Sequence, residues 1–309
     1  MTSPQDWCRL KFWGVRGSVP TPGPSTVRYG GNTSCVEVRA DGELIVLDAG
    51  TGIRPLGLSL AREFAGKPLA LTLLITHTHW DHIQGLPFFQ PAYDVKNKVR
   101  ILGYEGAKIG LASTLAGQME SPYFPIALEQ MPGSILIEEL REMDFHIGRV
   151  RVQAWVMNHP GIAVGYRLFT SGGSIAYLPD NEPFSHCHVE RPPHVRDTNN
   201  LKLIDFIRDA DVLVMDSQYD RDEYHSHIGW GHGCIDDVVK LALSADVKHL
   251  FLFHHDPNHD DERIDALLAH AREIARSHAS EMKIDAAREG ETVDLAKSFG
   301  KVDARETSD

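Results

Sequence analysis

The chain has 309 residues, 42% hydrophobic and 24% charged, with a formal net charge of −12. That length can bury a full core, and no linker or shift in composition divides it, so one domain is expected. The acidic balance argues against a broad basic surface for long nucleic acid. No apolar run nears the ~20 residues of a membrane span and no secretory leader is visible, so a cytoplasmic protein is expected.

In chain order, residues 1–6 read as a tail and 10–15 as a strand. Next comes a Gly- and Pro-rich loop from Arg16 through Pro24 to Tyr29-Gly30-Gly31-Asn32-Thr33-Ser34. An ordered loop of this length is uncommon unless it covers something. Residues 35–39 resume extended structure, 43–47 form a buried strand ending at Asp48-Ala49-Gly50, and Leu56, Leu60 and Phe64 give 53–64 helical spacing.

The apolar run 69–74 then delivers Ile75-Thr76-His77-Thr78-His79-Trp80-Asp81-His82. Strand alternation sends His77 and His79 to one side, and the following turn can return Asp81 and His82 toward them. Imidazole nitrogen and carboxylate oxygen together suit borderline divalent metals. Two ligand pairs this close suit two neighbouring ions.

Further on, 83–89 reads as a helix start, 99–103 as a strand, 107–119 as a helix and 121–133 as irregular chain that could wall a cleft, where Tyr123 and Phe124 could stack on a base, with local core as the competing reading. Strands are expected at 135–140, 145–147 and 150–156, the last delivering Asn158-His159-Pro160. A hairpin of 163–169 and 174–178 turns at Thr170-Ser171-Gly172-Gly173 and ends at Pro179-Asp180-Asn181. Residues 181–200 read as a surface excursion, with His186-Cys187-His188 in a loop, and 201–209 as a helix. Strand 211–215 leads into Asp216, and a segment from His225 to Gly233, with His225 and His227 solvated, precedes helix 235–244. Strand 249–253 ends in His254-His255-Asp256-Pro257, helix 261–278 comes next, and 281–286 with 291–294 form a last strand pair before a disordered end after 298. Two strand-rich halves, each followed by helices, suggest an α/β protein with two sheets between helical layers. Four scattered cysteines without a C-x-x-C pair read as reduced thiols.

The T-H-x-H-x-D-H run at 76–82 resembles the metal motif of the metallo-β-lactamase fold superfamily. With Phe12-Trp13-Gly14-Val15-Arg16-Gly17-Ser18 and the Tyr29 to Ser34 segment, the chain looks like the branch holding ribonuclease Z, phosphoribosyl cyclic phosphodiesterase and cyclic-nucleotide phosphodiesterases, over about residues 10–294. The resemblance implies a four-layer αββα sandwich of two mixed sheets flanked by helices. It implies two divalent metal ions, zinc first, with manganese or iron as alternatives. His77, His79 and His159 would hold one ion and Asp81, His82 and His254 the other, with His255 as the alternative to His254 and Asp180 bridging both. Asp48 and Asp216 would brace ligands without touching metal. Arg16, Asn32 and Ser34 would contact phosphate, with ordinary turn chemistry as the competing reading of each. His232 would protonate the leaving oxygen, although Gly233 stands where the family usually shows Ser or Thr.

The function implied is that of a dinuclear metal-dependent phosphodiesterase, with Asp81, Asp180 and His232 at the reaction centre and a hydroxide between the metals as the attacking group. The chain shows no protruding RNA-binding arm, and its net charge is acidic. A small or cyclic phosphodiester is therefore expected, with neither long nucleic acid nor membrane as partner. A homodimer is a family-level expectation. Hydrolysis of a lactone, thioester or β-lactam, or a di-iron oxygen or redox sensor, are the competing readings.

Overall fold

The computed structural model describes residues 7–104, 110–184 and 193–295, so the expected tails, the His186-Cys187-His188 loop and part of the predicted 107–119 helix lie outside or run beyond the described residues. The first half of the chain builds β1 (Cys8–Gly14), β2 (Cys35–Ala40), β3 (Glu43–Leu47), β4 (Ala70–Ile75), β5 (Lys98–Gly103) and β6 (Ser134–Glu139). The second builds β7 (Asp144–Ile147), β8 (Val150–Val156), β9 (Val164–Thr170), β10 (Gly173–Leu178), β11 (Val212–Asp216), β12 (His249–Phe253) and β13 (Lys283–Ala286), with β14 (Thr292–Leu295) closing the described chain. Two seven-stranded sheets result, ordered β14-β1-β2-β3-β4-β5-β6 and β13-β12-β11-β10-β9-β8-β7. Each is mixed: β3 to β6 run parallel in the first and β10 to β13 in the second.

Alternation along the strands decides what faces where. Leu10, Phe12, Val38, Ile45, Leu47, Leu74, Val152, Leu168, Ile175, Val214, Phe251 and Phe253 fill the space between the sheets. The opposite faces carry separate cores. Leu71, Leu73 and Ile75 pack with Leu56 and Leu60 of α1 (Ile53–Phe64) and Leu115 of α3 (Leu111–Gly117). Leu213, Met215, Leu250 and Leu252 pack with α4 (Pro193–Ile207), α6 (Ile235–Ser244) and α7 (Asp261–Ser277). The chain is therefore the expected αββα sandwich.

Four expectations change. The helix read at 201–209 begins at Pro193, inside the segment read as a surface excursion, and ends at Ile207. The helix read at 83–89 is helical only as α2 (Trp80–Ile83); Gly85, Pro87 and Pro91 break the next stretch into single 3-10 turns at Leu86–Phe88 and Gln90–Tyr93. A short α5 (Arg221–His225) stands where the sequence pattern suggests only loop; Asp220 caps it, accepting from Glu223 N. The last two strands do not pair with each other. β13 adds in parallel to β12, and β14 adds antiparallel to β1, with Cys8 opposite Leu295. The link 287–291 can span roughly 17 Å, more than the ~10 Å between packed sheets, so the chain crosses layers there.

Candidate metal centre

Four parallel strands and the antiparallel β8 carry the site at their C-terminal ends. Loops after β4, β8, β10, β11 and β12 present, respectively, the 76–82 run, His159, Asp180, Asp216 and His254. One sheet therefore supplies four of the predicted ligands, and the other supplies three.

The seven predicted ligands converge. His77, His79 and His159 form one group and Asp81, His82, Asp180 and His254 another, the donor atoms of each lying within 4.8 Å of one another. His159 Nε2 lies 3.1 Å from His79 Nδ1. His82 Nε2 is 3.0 Å from Asp180 Oδ1 and 3.2 Å from Asp81 Oδ2, and His254 Nε2 is 3.1 Å from Asp81 Oδ2 and 3.3 Å from Asp180 Oδ1. The other oxygen, Asp180 Oδ2, stands 3.7 Å from both His77 Nε2 and His159 Nε2, so this carboxylate lies between the groups. These separations match the edges of a tetrahedron, about 3.3 Å, when each donor is 2.0–2.1 Å from a central zinc-sized ion. His77 Nε2 is buried without a hydrogen-bond partner, and His82 Nε2 and Asp180 Oδ1, buried and 3.0 Å apart, are not aligned for a well-formed hydrogen bond. Orphaned atoms of this kind call for an unseen partner, and a cation fits all three.

The protonation balance agrees. Burial, reinforced by neighbouring imidazoles, pushes His77 well below the usual histidine range, and burial also lowers His79 and His159 against the pull of Asp180. Neutral imidazole is the form that ligates metal. His82 goes the other way: burial disfavours its charge, but Asp180, Asp81 and Asp48 outweigh burial and raise it. A cation would take over the neutralising role of that proton.

Two further buried carboxylates stand behind the cluster. Asp48 is fully buried and accepts from His82 Nδ1 (2.8 Å), Thr76 N (2.8 Å), Thr76 Oγ1 (3.0 Å) and the Tyr177 hydroxyl (2.9 Å). Asp216 Oδ2 lies 2.9 Å from His232 Nδ1, and its other oxygen accepts from Gln218 N. Burial opposes the charge on His232, yet Asp216, Asp180 and Asp81 push its imidazolium up to about 9. His232 Nδ1 stands 4.0 Å from Asp180 Oδ2, and its ring stacks 5.0 Å from that of His254. The choice between the adjacent histidines falls on His254, since His255 Nε2 donates to Ala287 O, 2.8 Å away, and burial drives it down to about 3.

The predicted phosphate contacts sit elsewhere. Arg16 is fully buried, with Nε donating to Gly30 O (2.8 Å) and Nη1 to Asp256 O (3.1 Å) and His259 O (2.6 Å). Asn32 is engaged with Glu289 through both backbone and side-chain amides, and Ser34 is completely buried. Arg16 and Asn32 brace loops, the Ser34 hydroxyl is buried without a hydrogen-bond partner, and the Arg16 loop borders the site with backbone. Ser18 N donates to Asp81 Oδ2 (2.8 Å), and a Cβ on Gly17 would lie 2.4 Å from the His254 ring. His227, expected to be solvated, is half-buried and stacks on Tyr219 at 4.3 Å. Sequence reasoning also missed Tyr177, and Gln218, whose Oε1 lies 3.3 Å from His254 Nδ1 while Nε2 donates to Asp256 Oδ2. The one signal for Gln218 was its place just past a buried strand end.

Fold and cluster together define a two-sheet α/β protein with a divalent-metal site at the strand ends. Residues 44–255 match the family described as a beta-lactamase superfamily domain, and the chain belongs to that family. It is similar to ribonuclease Z of Thermoplasma acidophilum, 22% identical over 298 residues covering 85% of this chain and 91% of that one. Among solved structures it resembles a diphosphatase from the PhnP family (TM-score 0.60, 18% identity, covering 93% of this chain and 97% of that one). It also resembles the short form of human tRNase Z (TM-score 0.60, 17% identity, 93% and 99%). These findings support a metal-dependent hydrolase. They also overturn the expectation that long nucleic acid is excluded, since relatives of matching length are ribonucleases by name. Net charge was the wrong guide because metal ions supply positive charge locally, whatever the sign of the whole surface. Among the described residues no helix is long and apolar enough to cross a membrane.

Proposed function

We propose that the chain is a dinuclear metal-dependent phosphodiesterase, with zinc the first ion to test. The observation that carries this reading is the position of Asp180, whose two oxygens face different ligand groups at 3.0–3.3 Å and 3.7 Å. Bound there, two divalent ions supply a water of lowered pKa and a Lewis-acid clamp on phosphate oxygens.

The chain's own groups do the rest. His77, His79, His159, Asp81, His82 and His254 would hold the ions, and Asp48 fixes the His82 ring through Nδ1. In-line displacement at phosphorus breaks the bond to the leaving oxygen, which needs a proton. His232 supplies it from Nε2, because Asp216 occupies Nδ1 and sets the ring's orientation. That acid favours phosphorus chemistry over lactone, thioester or β-lactam hydrolysis. Small and cyclic phosphodiesters are the first substrates to assay, with RNA beside them.

The test is turnover of bis(p-nitrophenyl) phosphate, a cyclic-nucleotide panel and a transfer RNA transcript by metal-analysed protein, alongside Asp81→Ala and His232→Ala. Activity lost in Asp81→Ala, and on the natural esters in His232→Ala with metals retained, is the expected result. A fully metallated wild type without activity on any of them refutes the reading.

A further inference from the structure

Glu182 lies two residues beyond Asp180, is buried, and ties together three segments of the site. Its backbone N–H donates to Asn158 O (2.9 Å), and the Asn158 side-chain amide donates back to Glu182 O (3.2 Å), so it is fastened to the segment that carries His159. Its side chain reaches the segment that carries His232. Oε1 accepts from the Tyr224 hydroxyl (2.6 Å) and Gly229 N (2.7 Å), and Oε2 accepts from Gly231 N (3.1 Å).

The turn that Glu182 grips has little stiffness of its own. Gly229 and Gly231 have φ of 84° and 87°, a region glycine enters freely and leaves as freely. At Gly231 no other residue fits, since a Cβ would lie 2.3 Å from His159 Nδ1. Two backbone N–H groups converging on one carboxylate make a small anion nest, and such charge-assisted bonds are stronger than neutral ones. Gly231 O in turn lies 3.0 Å from His159 Nδ1, and the next residue is His232. Asp216 orients the His232 ring, but the backbone from which that ring hangs is set by this turn.

We propose that Glu182 is a positioning residue that locks the Gly229–Gly231 turn and so holds His232 at the distance from which it protonates the leaving oxygen. The inference rests on the phosphodiesterase reading above. In the step concerned, the oxygen of the attacking water-derived hydroxide bonds to phosphorus while the bond from phosphorus to the leaving oxygen breaks, and that bond's electron pair goes to the leaving oxygen. The proton from His232 Nε2 joins it, and the neutral imidazole is recharged from water.

Leaving-group dependence separates this role from general support of the fold. A p-nitrophenolate departs at neutral pH without a proton, whereas a phenolate, whose phenol has a pKa of about 10, gains from one. The experiment compares the p-nitrophenyl and phenyl esters of thymidine 5′-phosphate as substrates for wild type and Glu182→Gln, with metal content measured in each. Glutamine keeps the shape but presents an NH2 where one amide needs an acceptor. The expected result is a loss of about tenfold or more in kcat on the phenyl ester and under about threefold on the p-nitrophenyl ester, with metals retained. Gly229→Ala strains the same turn from its other side, should give the same selective loss, and carries the test if Glu182→Gln does not fold. Equal losses on both esters, loss of metal, or no loss at all would overturn the proposal while leaving the phosphodiesterase reading standing. A wild type inactive on both esters and on every substrate named above overturns that reading, and this inference with it.

Discussion

Replacing Asp48 tests whether the metal centre depends on a carboxylate that touches no ion. Asp48 is fully buried and takes hydrogen bonds from Thr76 N, Thr76 Oγ1, His82 and Tyr177, so Asp48→Ala leaves four buried donors facing a void. Each unsatisfied buried group costs about 1–3 kcal/mol, and water entering the void recovers part of that. Asp48 also has φ of 61°, a left-handed conformation that costs alanine roughly 1–2 kcal/mol. The net loss for Asp48→Ala should be about 3–5 kcal/mol of unfolding free energy. Asp48→Asn keeps the volume and tolerates the backbone, so about half of that loss is expected. Metal affinity should fall about 10- to 100-fold in both, as is typical when a ligating histidine loses the partner of its other nitrogen. Urea unfolding of metal-free protein gives the stability term, and competition with a chelator of known affinity gives the binding term. A loss of stability under about 1 kcal/mol, together with unchanged affinity, would refute the role drawn for Asp48.

Three other outcomes are expected. Removing metal should lower the melting temperature: saturation at 1,000 times Kd contributes about 4 kcal/mol, or about 6 °C for a chain of this length, and calorimetry with and without chelator reads the shift. Gly17→Ala places a Cβ 2.4 Å from the His254 ring, which must then move by about 1 Å, and a displacement of that size near the chemistry can cost about 100-fold in kcat; unchanged activity would show that the ring has room to spare. Burial pushes the Cys8 thiol up to about 11, so its contribution to stability is whole below the unfolded-state pKa near 9 and is lost as pH rises toward 11, when the unfolded chain ionises first; urea midpoints measured from pH 8 to 11 should fall less steeply in Cys8→Ala.

The parts legible in the sequence were those set by local periodicity or by a dense motif. The spacing of Leu56, Leu60 and Phe64 gave α1 its bounds, and the bounds of α6, β8 and β12 obey the same logic. The 76–82 run carries four ligands in seven residues, so its chemistry shows before any fold is known. Single residues were harder. Arg16, Asn32 and Ser34 have the composition of a phosphate loop, but whether a side chain points at a site or at a carbonyl behind it depends on segments more than 200 residues away, such as Asp256, His259 and Glu289 for the first two. The partner of β14 was illegible for the same reason. A four-residue strand carries no information about which sheet offers a free edge.

The distribution of the candidate ligands spans both sheets. The first supplies His77, His79, Asp81 and His82 and the second supplies His159, Asp180 and His254, so cations bound at the centre would clamp two layers that otherwise meet through apolar packing. Without them, Asp48, Asp81, Asp180 and Asp216 are four buried carboxylates gathered around imidazoles that burial drives toward neutrality. Buried charges are costly unless paired, and His82 and His232, both raised by these carboxylates, compensate only part of the set. The metal-free site is therefore strained toward binding cations, and the positive field they bring is local. A net charge of −12 is on this account no bar to holding an anionic ester, or the phosphate of an RNA, where the cations would sit.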